Sequence, residues 1–152
     1  MKKHFLLLAS VVLAGCNLST DVKSDPSDPS TETFAAGLQV DLATMTKTTA
    51  GTYYRDLKPG TGEPLVGTPN IFISYQQFLK DGFLVGAVVN VPQALAGMIP
   101  GIRDGMQGMR PGGERLLVIP SALGYGNSPA VPGVPPNSTL VFDMVFNAYA
   151  VQ

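Results

Sequence analysis

Glycine and proline punctuate this chain so densely that few of its elements can be long: 17 Gly and 13 Pro fall among 152 residues. Glycine supplies backbone conformations that other residues resist, and proline fixes φ while removing a donor, so both collect in turns. The stretches left between them are mostly of strand length. Residues 52–57 lead into the turn cluster Lys58-Pro59-Gly60-Thr61-Gly62. Ile71, Ile73 and Tyr75 alternate with Phe72 and Ser74, the run continues to Phe78 and Leu79, and Lys80-Asp81-Gly82 turns the chain into a second strand. Residues 115–119 and 139–149 read as further strands, the last long and mixed enough to be central. One stretch alone has a convincing helical period: Ile99, Ile102, Met106 and Met109 share a side, and Pro100 suits a first turn, where a missing N–H costs nothing. The expected fold is α+β, a curled antiparallel sheet of about five or six strands wrapped over one short helix. Hydrophobic content of 45% against 14% charged residues supports a packed core in one domain.

What the chain lacks narrows its chemistry. Its only histidine is His4 and its only cysteine is Cys16. The body of the chain therefore cannot build a Cys/His zinc site, a Ser–His–Asp triad or an internal disulfide. No metal and no cofactor is expected. The formal charge of −1 excludes the usual footprint of a nucleic-acid binder, a basic face. Most carboxylates lie in the amino-terminal tail or beside turn glycines, where a solvated role is expected. Gly101, Gly105, Gly108, Gly112 and Gly113 do not make a phosphate-binding loop, because no Lys-Ser/Thr follows them on a strand–loop–helix. They are expected to serve turns and close packing.

The opening residues read as an address. Lys2 and Lys3 precede an apolar run over 5–14, too short to span a bilayer, and Leu13-Ala14-Gly15-Cys16 ends it. That ending resembles a bacterial lipobox, in which cleavage before the cysteine leaves its thiol to carry a diacylglycerol. Residues 1–15 are expected to be a lipoprotein signal peptide and Cys16 a lipidated membrane anchor, with Asn17 behind it favouring the outer membrane facing the periplasm. The plainer reading is an ordinary secretory signal with a coincidental cysteine. Residues 17–33 hold only Leu18 and Val22 as apolar side chains and repeat Ser-Asp-Pro at 24–26 and 27–29. Such a composition buries too little to offset ordering entropy, so 16–33 is expected to be a lipidated cysteine and a flexible tether. Residues 34–50 are an extension of uncertain structure: Leu38, Val40 and Leu42 alternate, while Leu38, Leu42 and Met45 would share a helix face. The domain proper is expected over 51–152, as a monomer, the chain offering no separate dimerisation arm.

Residues 122–142 read ALGYGNSPAVPGVPPNSTLVF, a loop that holds one tyrosine among prolines and glycines ahead of an apolar strand. In order with it come Met98-Ile99-Pro100-Gly101-Ile102, Gly105-Met106, Gly108-Met109, Gly113-Glu114-Arg115, Ile119-Pro120, Tyr125-Gly126 and Val134-Pro135-Pro136-Asn137-Ser138-Thr139-Leu140-Val141-Phe142. With these, and with Tyr54-Arg55-Asp56-Leu57-Lys58-Pro59-Gly60-Thr61-Gly62 ahead of them, the chain resembles the FKBP-type peptidyl-prolyl cis-trans isomerases over residues 51–150. The resemblance implies rotation about an X–Pro peptide bond, which faces a barrier of about 18–20 kcal/mol and takes tens to hundreds of seconds unaided. No bond breaks, so no nucleophile, metal or cofactor is required. It also implies a proline pocket lined by Tyr75, Val85, Val89, Met98, Ile99, Ile102, Tyr125 and Phe142, with Ile102 as its floor. Tyr125, Ile99 and Ile102 are the candidate catalytic residues.

Two donors could hold the carbonyl that precedes the proline. A residue before proline avoids helical geometry, so Ile99 should sit just outside the helix, with an N–H that has no internal partner. The Tyr125 hydroxyl is the second, in a loop stiff enough that little entropy is lost on binding. The sequence departs from the family pattern at Val85 and Gly86, where an aromatic and an aspartate are usual, and at Ile102 and Val89, where aromatics are usual. It departs again at Ala130 and at Gln77, where a glycine is common. The pocket is expected to be more aliphatic and to lack an organising carboxylate. The leading expectation is an isomerase that assists folding of exported proteins and takes proline-containing polypeptides as partners. The alternative is a weak or inactive module of the same fold that binds proline-containing or unfolded segments; a purely structural envelope lipoprotein would do neither.

Overall fold

The computed structural model describes residues 25–127 and 131–150. The expected signal peptide over 1–15, Cys16, the tether as far as 24, and Ala130 lie outside the described residues. The strands are β1 Thr46–Lys47, β2 Tyr53–Lys58, β3 Asn70–Leu79, β4 Leu84–Ala94, β5 Gly113–Ile119 and β6 Leu140–Tyr149. One helix, α1 Pro100–Gly105, lies between β4 and β5. All neighbours pair antiparallel in the order β1-β2-β5-β6-β3-β4. The fold is α+β, a curled six-stranded sheet with one short helix, and β6 is central, as its length and mixed composition predict.

Alternation decides which face each side chain takes. Ile71 and Ile73 of β3, Leu117 and Ile119 of β5, and Leu140, Phe142, Met144 and Phe146 of β6 join Ile102 and Met106 in the main core. Burying one such side chain contributes about 1.5–3 kcal/mol. The intervening Leu116, Val118 and Val141 belong to a second cluster on the opposite face. A row that apolar needs a cover of its own, and the amino-terminal segment supplies it with Phe34, Leu38, Val40, Leu42 and Met45. Residues 34–45 are neither strand nor α-helix. They make two 3-10 turns, Ala36–Leu38 and Leu42–Thr44, and the second is capped by Asp41, whose carboxylate accepts from Ala43 N–H.

The tether expectation changes over its last residues. Ser27 is buried beside Ser121, and the two exchange hydrogen bonds. Ser27 N–H donates to Ser121 Oγ at 2.8 Å, and Ser121 N–H donates to Ser27 Oγ at 2.7 Å. Pro29 is buried, Lys80 pairs with Glu32 at 3.1 Å, and Ala35 N–H donates to the Lys80 carbonyl. Specific polar bonds hold this stretch to the domain, and a rule based on apolar content has no means of registering them.

Helix α1 lies very near the sheet. Ile99 ahead of it is extended (φ −56°, ψ 148°), the geometry that the following proline demands. A Cβ on Gly101 would collide with Ile119, and one on Gly105 would lie 2.8 Å from Leu117 Cδ2. The helix is shorter than its apolar period, since Met106 and Met109 are buried in the turns that follow it. Its far end is held by Arg115 of β5, a buried side chain that donates to the carbonyls of Gly105 and Gln107 at 2.8 and 2.9 Å. The same guanidinium pairs with Asp56 at 2.6 Å and lies over the Tyr54 ring.

Strand β4 forms one edge of the sheet. It carries Pro92, and its register with β3 shifts between Ile73 and Tyr75. At the shift Asn90 takes a left-handed φ of 50°, and its N–H donates to Ser74 Oγ at 2.9 Å. Because α1 has no clearance over β5, Gly101→Ala is expected to destabilise the domain by about 1–3 kcal/mol through overpacking. The measurement is a lower urea midpoint at unchanged slope.

Candidate functional site

Around Ile102 the structure gathers side chains from β3, β4, β6, the start of α1 and the loop before β6. Ile102 is 2% exposed and Phe142 1%, which makes both the base of the site. The Tyr75 ring meets Phe142 edge-on, with centroids 5.5 Å apart and planes at 67°. Such a pair contributes about 0.5–1.5 kcal/mol beyond its burial. Val85, Met98, Ile99 and Tyr125 are partly buried against the same cluster and form its more open walls. Every pocket residue expected from sequence converges here except Val89.

Val89 is 81% exposed. Pairing passes from Ile73–Val91 directly to Tyr75–Val88, so β4 carries an extra residue there and strict alternation fails. The bulge turns Val89 outward, and Val91 packs against the cluster instead. Asn90, a residue type that tolerates left-handed geometry, is the one trace of this in the sequence. Val131 also joins the cluster from the loop. Gln77, which the sequence shows only as a missing glycine, turns out to touch Tyr125.

The loop that presents Tyr125 is pinned at several points. It starts in the 3-10 turn Ser121–Leu123, Gly126 N–H donates to the Ser121 carbonyl, and Asn137 N–H donates to the Gly126 carbonyl. Ser138 Oγ donates to the Pro135 carbonyl at 2.7 Å. The Tyr125 hydroxyl donates to Gln77 Oε1 at 3.4 Å, a long bond. Burial raises the Tyr125 pKa above the ordinary tyrosine value; the Gln77 hydrogen bond acts the other way, and Tyr75 adds to the rise. The hydroxyl therefore stays protonated, and able to donate, through the neutral range. The Ile99 carbonyl accepts from the N–H groups of Ile102 and Arg103, whereas the Ile99 N–H has no acceptor among the described residues.

A separate cavity of about 460 Å³ lies between the amino-terminal segment and the other face of the sheet, with Glu114, Leu116, Val141 and Asp143 on its walls. It shares neither Tyr75 and Tyr125 nor the Ile99 amide of the Ile102 site. Among the described residues no three His, Cys, Asp or Glu side chains gather as a metal-holding set.

Residues 75–146 match the family model of FKBP-type peptidyl-prolyl cis-trans isomerases. Over this segment the chain matches the FKBP family. The chain is 39% identical over 98 residues to the FKBP-type peptidyl-prolyl cis-trans isomerase FkpA of Escherichia coli K12, covering 62% of this chain and 36% of that one. The crystal structure of FkpA from Escherichia coli superposes with a TM-score of 0.65 at 32% identity, covering 71% of this chain and 53% of that one. A peptidyl-prolyl cis-trans isomerase structure from Pseudomonas syringae pv. tomato gives a TM-score of 0.65 at 27% identity, covering 76% of this chain and 87% of that one. The chain spans about a third of the length of the FkpA relatives it matches. The raised Tyr125 pKa sets a pH expectation. Any rate that depends on the neutral hydroxyl should be flat from about pH 6 to 9 and fall only above about pH 10, where the phenol ionises. A pH–rate profile in peptide exchange checks this; a fall below pH 9 would contradict it.

Proposed function

We propose that this FKBP domain is a peptidyl-prolyl cis-trans isomerase that acts on proline-containing segments of exported proteins. One observation carries the reading: the buried Ile102 and Phe142 share one apolar cluster with Tyr75, Met98 and Tyr125, and the Ile99 N–H at its border has no acceptor among the described residues. A flat X–Pro amide separates charge strongly and its twisted form less so. Surroundings that exclude water therefore favour the twisted form, and the site's walls supply such surroundings. The Ile99 N–H holds the carbonyl that precedes the proline. The Tyr125 hydroxyl, by giving up its long bond to Gln77, is a second donor to the segment. Rotation needs no group that titrates or is consumed, and each 1.4 kcal/mol taken from the barrier speeds it about tenfold.

A second reading, capture of proline-containing segments without catalysis, is favoured by one feature: the hydroxyl that the first reading uses is already engaged by Gln77. Two-dimensional exchange NMR on a short Pro-containing peptide separates the two. Faster cis–trans exchange supports the isomerase, saturable binding without faster exchange supports capture, and neither effect rejects both. Tyr125→Phe is expected to lower kcat/KM about tenfold, the worth of one hydrogen bond, with the thermal midpoint unchanged.

The basic, apolar and Leu-Ala-Gly-Cys sequence over 2–16 supports a further part of this reading: export, with the protein held by lipid on Cys16 at the outer membrane and facing the periplasm. Cys16→Ser is expected to move the full chain from the membrane to the soluble fraction of cells; unchanged membrane association would count against the anchor.

A further inference from the structure

We propose that the Gln77 side-chain amide is a substrate-contacting donor of this site, its Nε2 hydrogen-bonded to a backbone carbonyl of the bound proline-containing segment. The inference rests on the site's receiving such a segment, whether for isomerisation or capture. Gln77 lies on β3, in register with Phe142 of β6 on one side and Gly86 of β4 on the other. Gly86 has no side chain, and a Cβ built there would meet nothing within 4 Å, so the position opposite Gln77 on β4 is open.

Gln77 is 4% exposed. Its Oε1 accepts from the Tyr125 hydroxyl, and its Nε2 is buried with no hydrogen-bond partner among the described residues. A buried amide that leaves its N–H donors unpaired is costly, and such groups are few in folded proteins. Packing does not call for it: methionine has nearly the same length and would fill the place with no donor to satisfy. The position is therefore a poor one for glutamine unless something else completes the amide. Its neighbours Tyr75, Phe142 and Tyr125 are the walls of the site, so what completes it is what the site binds.

The chemistry of the donor limits the acceptor. Nε2 is neutral, and the buried guanidinium of Arg115, two strands away on β5, is committed to Asp56 and the end of α1. A neutral oxygen suits such a place, and an extended chain around proline offers its peptide carbonyls. The Tyr125–Gln77 bond is long, so the two side chains part at small cost as a segment enters, and Nε2 is uncovered. Tyr125 and Gln77 then each offer one donor to the segment on an otherwise apolar wall.

The test uses the full FKBP domain with a short Pro-containing peptide and reads three quantities. In ¹⁵N-labelled protein the Gln77 side-chain NH₂ signals are expected to move downfield and exchange more slowly with water at saturation. Gln77→Met is expected to lower kcat/KM, or peptide affinity in the capture case, about tenfold, while the thermal midpoint stays level or rises because an unpaired donor is gone. Gln77→Glu keeps an acceptor for Tyr125 but has no Nε2, and the same loss is expected. Unmoved Gln77 signals at saturation, or wild-type affinity and rate in both variants, would overturn the proposal and leave the isomerase reading standing. A wild-type domain that neither binds the peptide nor speeds its exchange removes both.

Discussion

The depth of the site depends on how near α1 can lie to β5. Gly101 and Gly105 present bare backbone to Ile119 and Leu117, and no larger residue fits at either contact without displacing a core side chain. That approach seats Ile102 in the same cluster as Phe142 and Tyr75 and so makes it a floor. Arg115 fixes the other end of the helix by taking up the carbonyls of Gly105 and Gln107. Ile99 is held at the near end by the proline that follows it, with its carbonyl in use and its N–H without an acceptor among the described residues. Three local rules, small residues at a close contact, an arginine on terminal carbonyls and the geometry before proline, together position one apolar base and one donor.

The sheet that supports this arrangement is covered twice. Strand β5 sends Leu117 and Ile119 to the helix side and Leu116 and Val118 to the side covered by residues 34–45. Burial on both faces makes the base of the site a high-stability part of the molecule, while its walls are drawn from a loop and an edge strand. Ser121 stands where the two covers meet. It is bonded to Ser27 of the amino-terminal segment and begins the turn that leads to Tyr125.

Much of this was legible in the residues alone, and the reasons differ from element to element. The strands, the central place of β6, the short helix and the extended Ile99 follow from alternation, a single 3.6 period and the rule for residues before proline. Tyr75, Val85, Met98, Ile102, Tyr125 and Phe142 were recoverable as a set because the family pattern carries them in order. Val89 was not, because a bulge changes side-chain parity without changing composition. The cover formed by residues 34–45 was foreshadowed only by Leu116, Val118 and Val141, apolar on a face that nothing else in the chain claimed. The docking of residues 27–35 was invisible, since two serines in a polar stretch look the same whether they meet water or each other. Gln77 was visible as an oddity; its unpaired amide and its place opposite Gly86 came only from the register of three strands.

The outer border of β4 has one more implication. The proposed polypeptide site lies beside a row of backbone groups that could pair with an extended chain as an added strand. Pro92 deletes one rung of that ladder, and the bulge at Asn90 bends the rail and spends another N–H on Ser74. Both features make this edge a poor template for an added strand, so a segment in the proposed site would be met through side chains.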